Sequence, residues 1–161
     1  MLIAGIDPGL DGAIVAYDAD AGTLLAPWDM PTYSKLVARR ERRRLDLVEI
    51  DKVIETLVLI GVDVVWIEDV AGRGNQVGGG QLSYGVGVLH AFCVARRLRY
   101  EVISPGAWKA RLRAPAGKEG ATQRAEALFP KQRALFRGPK GGKMDGRAEA
   151  AMIAFYGAMR K

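Results

Sequence analysis

The sequence predicts an α/β protein built on one five-stranded mixed sheet flanked by helices. Three features carry that expectation. The N-terminal segment holds three short apolar runs separated by tight-turn residues, the pattern of an antiparallel meander. A later run, Val62 to Glu68, is apolar apart from Asp63, as expected of a strand buried on both faces. From Leu47 onward, helix-period segments alternate with strands, the order that lays helices onto a sheet.

The first strand is Leu2 to Asp7, broken by Pro8-Gly9; the second is Ala13 to Tyr17; after a turn over Asp18 to Gly22, the third is Thr23 to Trp28. A basic run, Ala38-Arg-Arg-Glu-Arg-Arg-Arg44, precedes an amphipathic helix from Leu47 to Ile60, with apolar residues at Leu47, Ile50, Val53, Ile54, Leu57 and Val58. Asp46 at the N-cap and Glu49 three residues later mark its start. The buried strand Val62 to Glu68 follows, and five glycines between Ala71 and Gly80 predict a mobile loop. Gln81 to Arg97 has helical periodicity on Leu82, Val86, Leu89 and Cys93. Gly85 and Gly87 each weaken that helix by about 1 kcal/mol relative to alanine, which calls for close backbone approach onto the sheet or another subunit. Tyr100 to Ile103 is the fifth strand. Ser104-Pro105 starts a short helix through Trp108-Lys109, Thr122 to Phe129 forms another that Pro130 ends, and Arg137 to Lys143 is a flexible basic loop. An alanine-rich helix, Asp145 to Met159, closes the chain. No internal repeat or composition break divides residues 1–161, so one domain is expected.

Composition narrows the function. With 161 residues, 49% hydrophobic and 26% charged, the chain is neither collagenous, coiled-coil nor wholly disordered. Its single cysteine, Cys93, excludes an internal disulfide framework. No apolar run approaches the roughly 20 residues of a membrane span, and the N-terminus lacks a basic n-region and a cleavage site. A soluble cytoplasmic protein is expected, in the host cell if a phage encodes it. Twenty-four basic residues against 18 acidic leave a formal charge of +6, and 16 of the 24 are arginine, whose planar fork suits phosphate oxygens. Nucleic acid therefore leads membrane surfaces as the partner.

Most of the 18 acids have ordinary roles in turns, helix caps or solvated faces. Four do not. Asp7 ends the first strand, Glu68 ends the buried strand, and Asp145 and Glu149 lie four apart on one face of the last helix. Carboxylates gathered at adjacent strand ends raise one another's pKa unless a cation sits among them, and a hard divalent ion such as magnesium takes oxygen ligands of this kind. Two such ions can activate a water and stabilise the leaving oxygen of a phosphodiester. A basic chain with an acidic cluster points to a metal-dependent nuclease. Taken singly, Asp7 also fits a turn before Pro8-Gly9, Asp145 an N-cap and Glu149 a solvated helix residue. Asp11 and Asp69 adjoin the site as turn or supporting residues.

Four segments in order, GIDPGLDGAIVAYD, VVWIEDV, SPGAWK and KMDGRAEAAMIA, resemble the RuvC-like Holliday junction resolvases of the ribonuclease H-like superfamily, above all the phage-type branch. The resemblance spans nearly the whole chain. It implies a ribonuclease H-like fold and a homodimer that cuts two strands of a four-way DNA junction symmetrically, leaving 5′-phosphate and 3′-hydroxyl ends. It also implies two magnesium ions per site, replaceable by manganese, with Asp7 bridging both, Glu68 completing one site, and Asp145 and Glu149 the other. The chain departs from the family pattern at Glu149, where many relatives carry aspartate, and at Gly146, where some carry a further acid. Glu68-Asp69-Val70-Ala71 lacks the aromatic that bacterial members wedge into the junction.

DNA contacts are expected from Arg40, Arg42 and Arg44, which share one face if extended, and from Lys109, Lys118, Arg124, Lys140 and Lys143. The arginine run also fits a solvated edge that guards against aggregation. His90 and Cys93 read as packed rather than catalytic. The Gln81–Arg97 helix, with its small residues, is the expected dimer interface. The competing reading is a non-catalytic architectural protein that binds branched DNA. Gly9 and Gly12 also resemble the phosphate loop of actin-like ATPases, which need two related lobes, and the chain is too short for them.

Overall fold

The computed structural model describes residues 1–69, 79–115, 117–138 and 141–160, with the backbone alone at Gly79 and Lys118. Strands β1 (Leu2–Asp7), β2 (Ala13–Asp18) and β3 (Thr23–Asp29) form the expected meander. A ribbon of β4 (Thr32–Val37) and β5 (Arg40–Leu45) follows. Then come α1 (Leu47–Leu59), β6 (Val64–Glu68), α2 (Gly79–Ala95), β7 (Tyr100–Ile103), α3 (Pro105–Leu112), α4 (Gly117–Leu128), a 3-10 helix (Pro130–Phe136) and α5 (Asp145–Ala158).

The five-stranded sheet has the order β3-β2-β1-β6-β7. β1 pairs antiparallel with β2 and parallel with β6, and β6 pairs parallel with β7. Because Ile6 lies opposite Ile67 in the β1–β6 register, Asp7 and Glu68 finish neighbouring strands at the same end. Two positions that were separated by most of the N-terminal half become adjacent through one parallel pairing.

Alternation along the strands splits the core into two layers. Ile3, Val15 and Tyr17 face a layer shared with Trp108, Ala125, Phe129, Ala150 and Ile153. Ala4, Ile6, Ile14 and Ala16 face the other, shared with Ile50, Ile54, Leu57, Leu89 and Cys93. On the first side, α5 lies against the backbone of β1: a Cβ on Gly5 would stand 2.1 Å from the Ala150 carbonyl oxygen. Small residues on both partners, Gly5 below and Ala150 and Ala154 above, permit that approach.

Several boundaries follow from side chains the pattern underweights. Asp46 caps α1 by accepting from the Glu49 amide, as expected. β6 begins at Val64 rather than Val62, and the Asp63 carboxylate accepts the Leu2 amide at 2.8 Å, which accounts for the one acid in that run. α4 starts five residues earlier than expected, and Pro130, expected to end that helix, also opens a 3-10 helix. In α2, a Cβ on Gly85 would meet Leu45 Cδ1 at 3.1 Å and the Pro8 carbonyl at 3.3 Å, a close approach to β5 and to the turn after β1 rather than onto the sheet itself, whereas Gly87 faces open space. Of the glycine-rich loop expected over 71–80, residues 71–78 lie outside the described residues, while Gly79 and Gly80 begin α2 instead. Among the described residues, no helix is long and apolar enough to cross a membrane.

Candidate active site

Asp7, Glu68 and Glu149 meet where β1, β6 and α5 converge, with one carboxylate oxygen of each within 4.8 Å of the others. The strand pairing supplies the first two, and the contact of α5 with Gly5 brings the third. Asp145 stands one turn earlier on α5 and is not within that triad. It nonetheless adds to the negative field at Asp7. The expectation that Asp145 and Glu149 project to a single point is therefore met by Glu149 alone. Asp145 is no N-cap either: that position belongs to Met144, and no side chain caps the helix.

Burial, then the charges of Glu149 and Glu68, push the Asp7 carboxyl up to about 7, against the pull of a hydrogen bond from the Gly9 amide at 3.1 Å. The turn role and the site role thus coexist in one residue. Glu68 is buried, and the Trp108 indole Nε1 donates to its Oε1 at 3.1 Å. Glu149 accepts from the Lys109 ammonium at 2.9 Å, and that ammonium also lies 4.9 Å from the centroid of the Trp108 ring. The SPGAWK segment therefore serves the site twice, through Trp108 and through Lys109. Trp108 was absent from the sequence-derived site. The clue to it is general: a buried indole N–H needs an acceptor.

The turn between β1 and β2 closes tightly over the start of α5. A Cβ on Gly146 would lie 2.1 Å from the Asp11 carbonyl oxygen, so no side chain fits there. The glycine at 146 is thereby explained by space. Beside it runs a groove lined by Asp11, Asp29, Arg43, Lys143, Asp145 and Arg147. Arg43 donates to the Leu10 carbonyl at 2.6 Å and also pairs with Asp11, while Arg147 forks onto Asp29 with bonds of 2.5 and 2.7 Å.

The expected DNA-contacting residues separate into groups. Arg40, Arg42 and Arg44 do share one face, on β5. Arg44 is tied to Gln81, and Lys143 pairs with Glu119. Arg124 is half-buried and donates from Nε to the Leu112 carbonyl at 2.6 Å, so it joins α4 to the end of α3. The side chain of Lys118, and Lys140 as a whole, lie outside the described residues. His90 stacks on Tyr100 with ring centroids 4.9 Å apart. Cys93 is fully buried in the core, where burial pushes its thiol up to about 11. Both therefore read as packing residues.

The donor set fits a hard divalent cation. Three oxygen donors converge, and burial together with the acidic neighbours disfavours the charged form of Asp7, a penalty that a cation bound there would relieve.

No protein-family model matches the sequence, and no curated protein is significantly similar to it. Solved structures share its fold. T. thermophilus RuvC in complex with a Holliday junction substrate superposes with a TM-score of 0.62 at 19% identity, over 99% of this chain and 96% of that one. The fowlpox virus Holliday junction resolvase gives 0.52 at 17% identity, over 99% of each chain. The yeast mitochondrial Holliday junction resolvase gives 0.51 at 15%, over 98% of this chain and 77% of that one. The chain thus has the RuvC-like form of the ribonuclease H-like fold, as its four motifs imply.

Proposed function

We propose that this protein is a metal-dependent, structure-selective endodeoxyribonuclease that resolves Holliday junctions by paired symmetric nicks. The observation that carries the reading is the convergence of Asp7, Glu68 and Glu149 at the strand ends of a fold shared with junction resolvases. Those three acids, with Asp145, would hold magnesium, two ions per site, with manganese able to substitute. Bound there, the metal would supply an activated water and a counter-charge for the leaving oxygen of a phosphodiester.

The chain's own residues prepare the site. Trp108 holds Glu68 in place by donating to one of its oxygens. Lys109 positions Glu149 and sets a cation at the edge of the cluster, where a substrate phosphate would arrive. Arg40, Arg42 and Arg44 would supply phosphate contacts, and Lys118, Lys140 and Lys143 further ones. Hydrolysis would leave 5′-phosphate and 3′-hydroxyl ends. Paired cuts need two sites, so the active form is a homodimer. α2 is the proposed interface, with Tyr84 and Val94 exposed on it and Gly87 open to a close neighbour. The whole chain forms a single nuclease domain acting in the cytoplasm.

The test is cleavage of a fixed four-way junction beside linear duplex and single-stranded controls, with and without magnesium, for wild type and Glu68→Gln. Paired nicks that need the metal and vanish in the variant are expected. Binding without cutting under any divalent metal would instead support an architectural branched-DNA protein, and equal cutting of linear duplex would remove the junction selectivity.

A further inference from the structure

The β4–β5 ribbon stands apart from the five-stranded sheet, pairing with no other strand. Its 14 residues from Thr32 to Leu45 hold six basic side chains against the single Glu41, a formal +5 of the chain's +6. The charge that makes the protein basic is therefore concentrated in one projecting element. The register sets Tyr33 opposite Arg44, Lys35 opposite Arg42 and Val37 opposite Arg40. Opposed residues point the same way and alternate along a strand, so Lys35, Arg40, Arg42 and Arg44 share one face with Tyr33 and Val37. Lys35, Arg40 and Arg42 are exposed and have no ion-pair partner among the described residues. Directly opposed like charges such as Lys35 and Arg42 weaken a ribbon, and an isolated two-stranded hairpin is marginal by itself. Such a face gains from a polyanion laid along it.

The ribbon is nevertheless held firmly at its base. Leu45 is buried in the core, Arg44 is bound to Gln81 of α2, and Arg43, on the opposite face, reaches Asp11, the Leu10 carbonyl and Thr32 Oγ1. Leu10 and Asp11 belong to the turn that leaves Asp7. A load on the ribbon is thus referred directly to the turn beside the acidic cluster. Alternate residues on a strand are about 6.7 Å apart, roughly two axial phosphate steps of one DNA strand. A two-stranded ribbon is also of a width that the major groove, about 12 Å across, admits.

We infer that the β4–β5 ribbon is the docking surface for a double-helical DNA arm flanking the cut, its Lys35–Arg40–Arg42 face on the phosphates and Val37, on that same face beside the turn, at the groove. The inference rests on the proposed nuclease reading and names the part of the substrate this element holds: paired DNA, away from the scissile phosphate. Val37, 39% exposed, is the apolar side chain on that face next to the turn, and the groove offers sugars and thymine methyls.

Two measurements on the full chain, made without activating metal, test it. In the first, the variant Lys35→Ala/Arg40→Ala/Arg42→Ala is titrated with junction and with linear duplex over a range of salt. The slope of log Kd against log salt should fall by about 2.7, from about 0.9 for each lost phosphate contact, on both DNAs. In the second, Val37→Cys carries a photo-crosslinker. Cys93 is buried, so labelling is confined to the tip. Adducts should map to paired nucleotides of an arm, in a background where all the cations remain. An unchanged slope overturns the inference, as do adducts confined to unpaired nucleotides or absent from DNA. If such results accompany normal metal-dependent junction cutting, only the ribbon assignment falls. If wild type neither binds nor cuts branched DNA, the nuclease reading falls first and this one with it.

Discussion

Asp7 is the residue in which fold and chemistry are most directly opposed. The unfolded chain ionises this carboxyl near its ordinary 3.8, while the folded, metal-free chain keeps its proton up to about 7. Between those values the folded state binds more protons than the unfolded one, so stability falls as pH rises, and the loss is complete above about 7. Three pKa units correspond to at most about 4 kcal/mol. Asp7→Asn removes the penalty and keeps an oxygen for the Gly9 amide. In chelator the variant should melt above wild type at about pH 8 and not at about pH 4, while nicking is abolished. Parallel stability curves for the two proteins would contradict the acidic-cluster electrostatics. Trp108→Phe offers a second reading at this scale. It keeps most of the ring's packing but takes the indole donor from Glu68, leaving a buried acid one hydrogen bond short. A destabilisation of about 1–3 kcal/mol is expected in denaturant titration, with weaker magnesium binding by calorimetry.

At the scale of elements, the site depends on how closely α5 can lie against β1 and the following turn. A methyl group at Gly5 or Gly146 would stand 2.1 Å from a backbone oxygen, and neither oxygen belongs to a flexible side chain. Gly5→Ala should push α5 off the sheet and cost about 1–3 kcal/mol or more, read as a drop in melting temperature. Gly146→Ala acts at the helix start, next to Asp145 and one turn from Glu149, so the folded protein should persist with displaced acids. A misplacement of about 1 Å at a reacting centre can cost 10²-fold in rate. Slowed single-turnover cleavage with a normal circular-dichroism spectrum is the expected signature. Unchanged cleavage by Gly146→Ala would show that the start of α5 does not set the site's geometry.

For the whole molecule, the relevant quantities are charge and copy number. Junction affinity should weaken steeply as salt rises, because each phosphate contact releases counterions. An affinity indifferent to salt would remove the basic face as a DNA surface. Light scattering on junction-bound protein should give two chains per four-way junction, and a monomer would leave the nuclease chemistry standing while excluding coordinated cuts.

The local pattern determined most elements. Asp46 and Glu49 announced α1, short apolar runs between tight-turn residues announced the meander, and the acids at the ends of β1 and β6 stood out because a buried strand rarely finishes on a charge. The ribbon was harder to read: its tip, Ala38-Arg39, has left-handed backbone at both residues, φ 49° and 61°, without the Asn-Gly signal that such a turn favours. The start of α4 and the 3-10 helix after Pro130 were equally silent, since neither carries a strong capping residue. Tertiary structure alone decided which acids meet. Asp7 and Glu68 converge through parallel pairing, and Glu149 joins them because Gly5 lets α5 approach, whereas Asp145, equally acidic in sequence, falls outside the triad. Residue type and spacing set what each segment can form. The distance between two charges far apart in the chain is set only by packing, and here that packing turned on the absence of a side chain at Gly5.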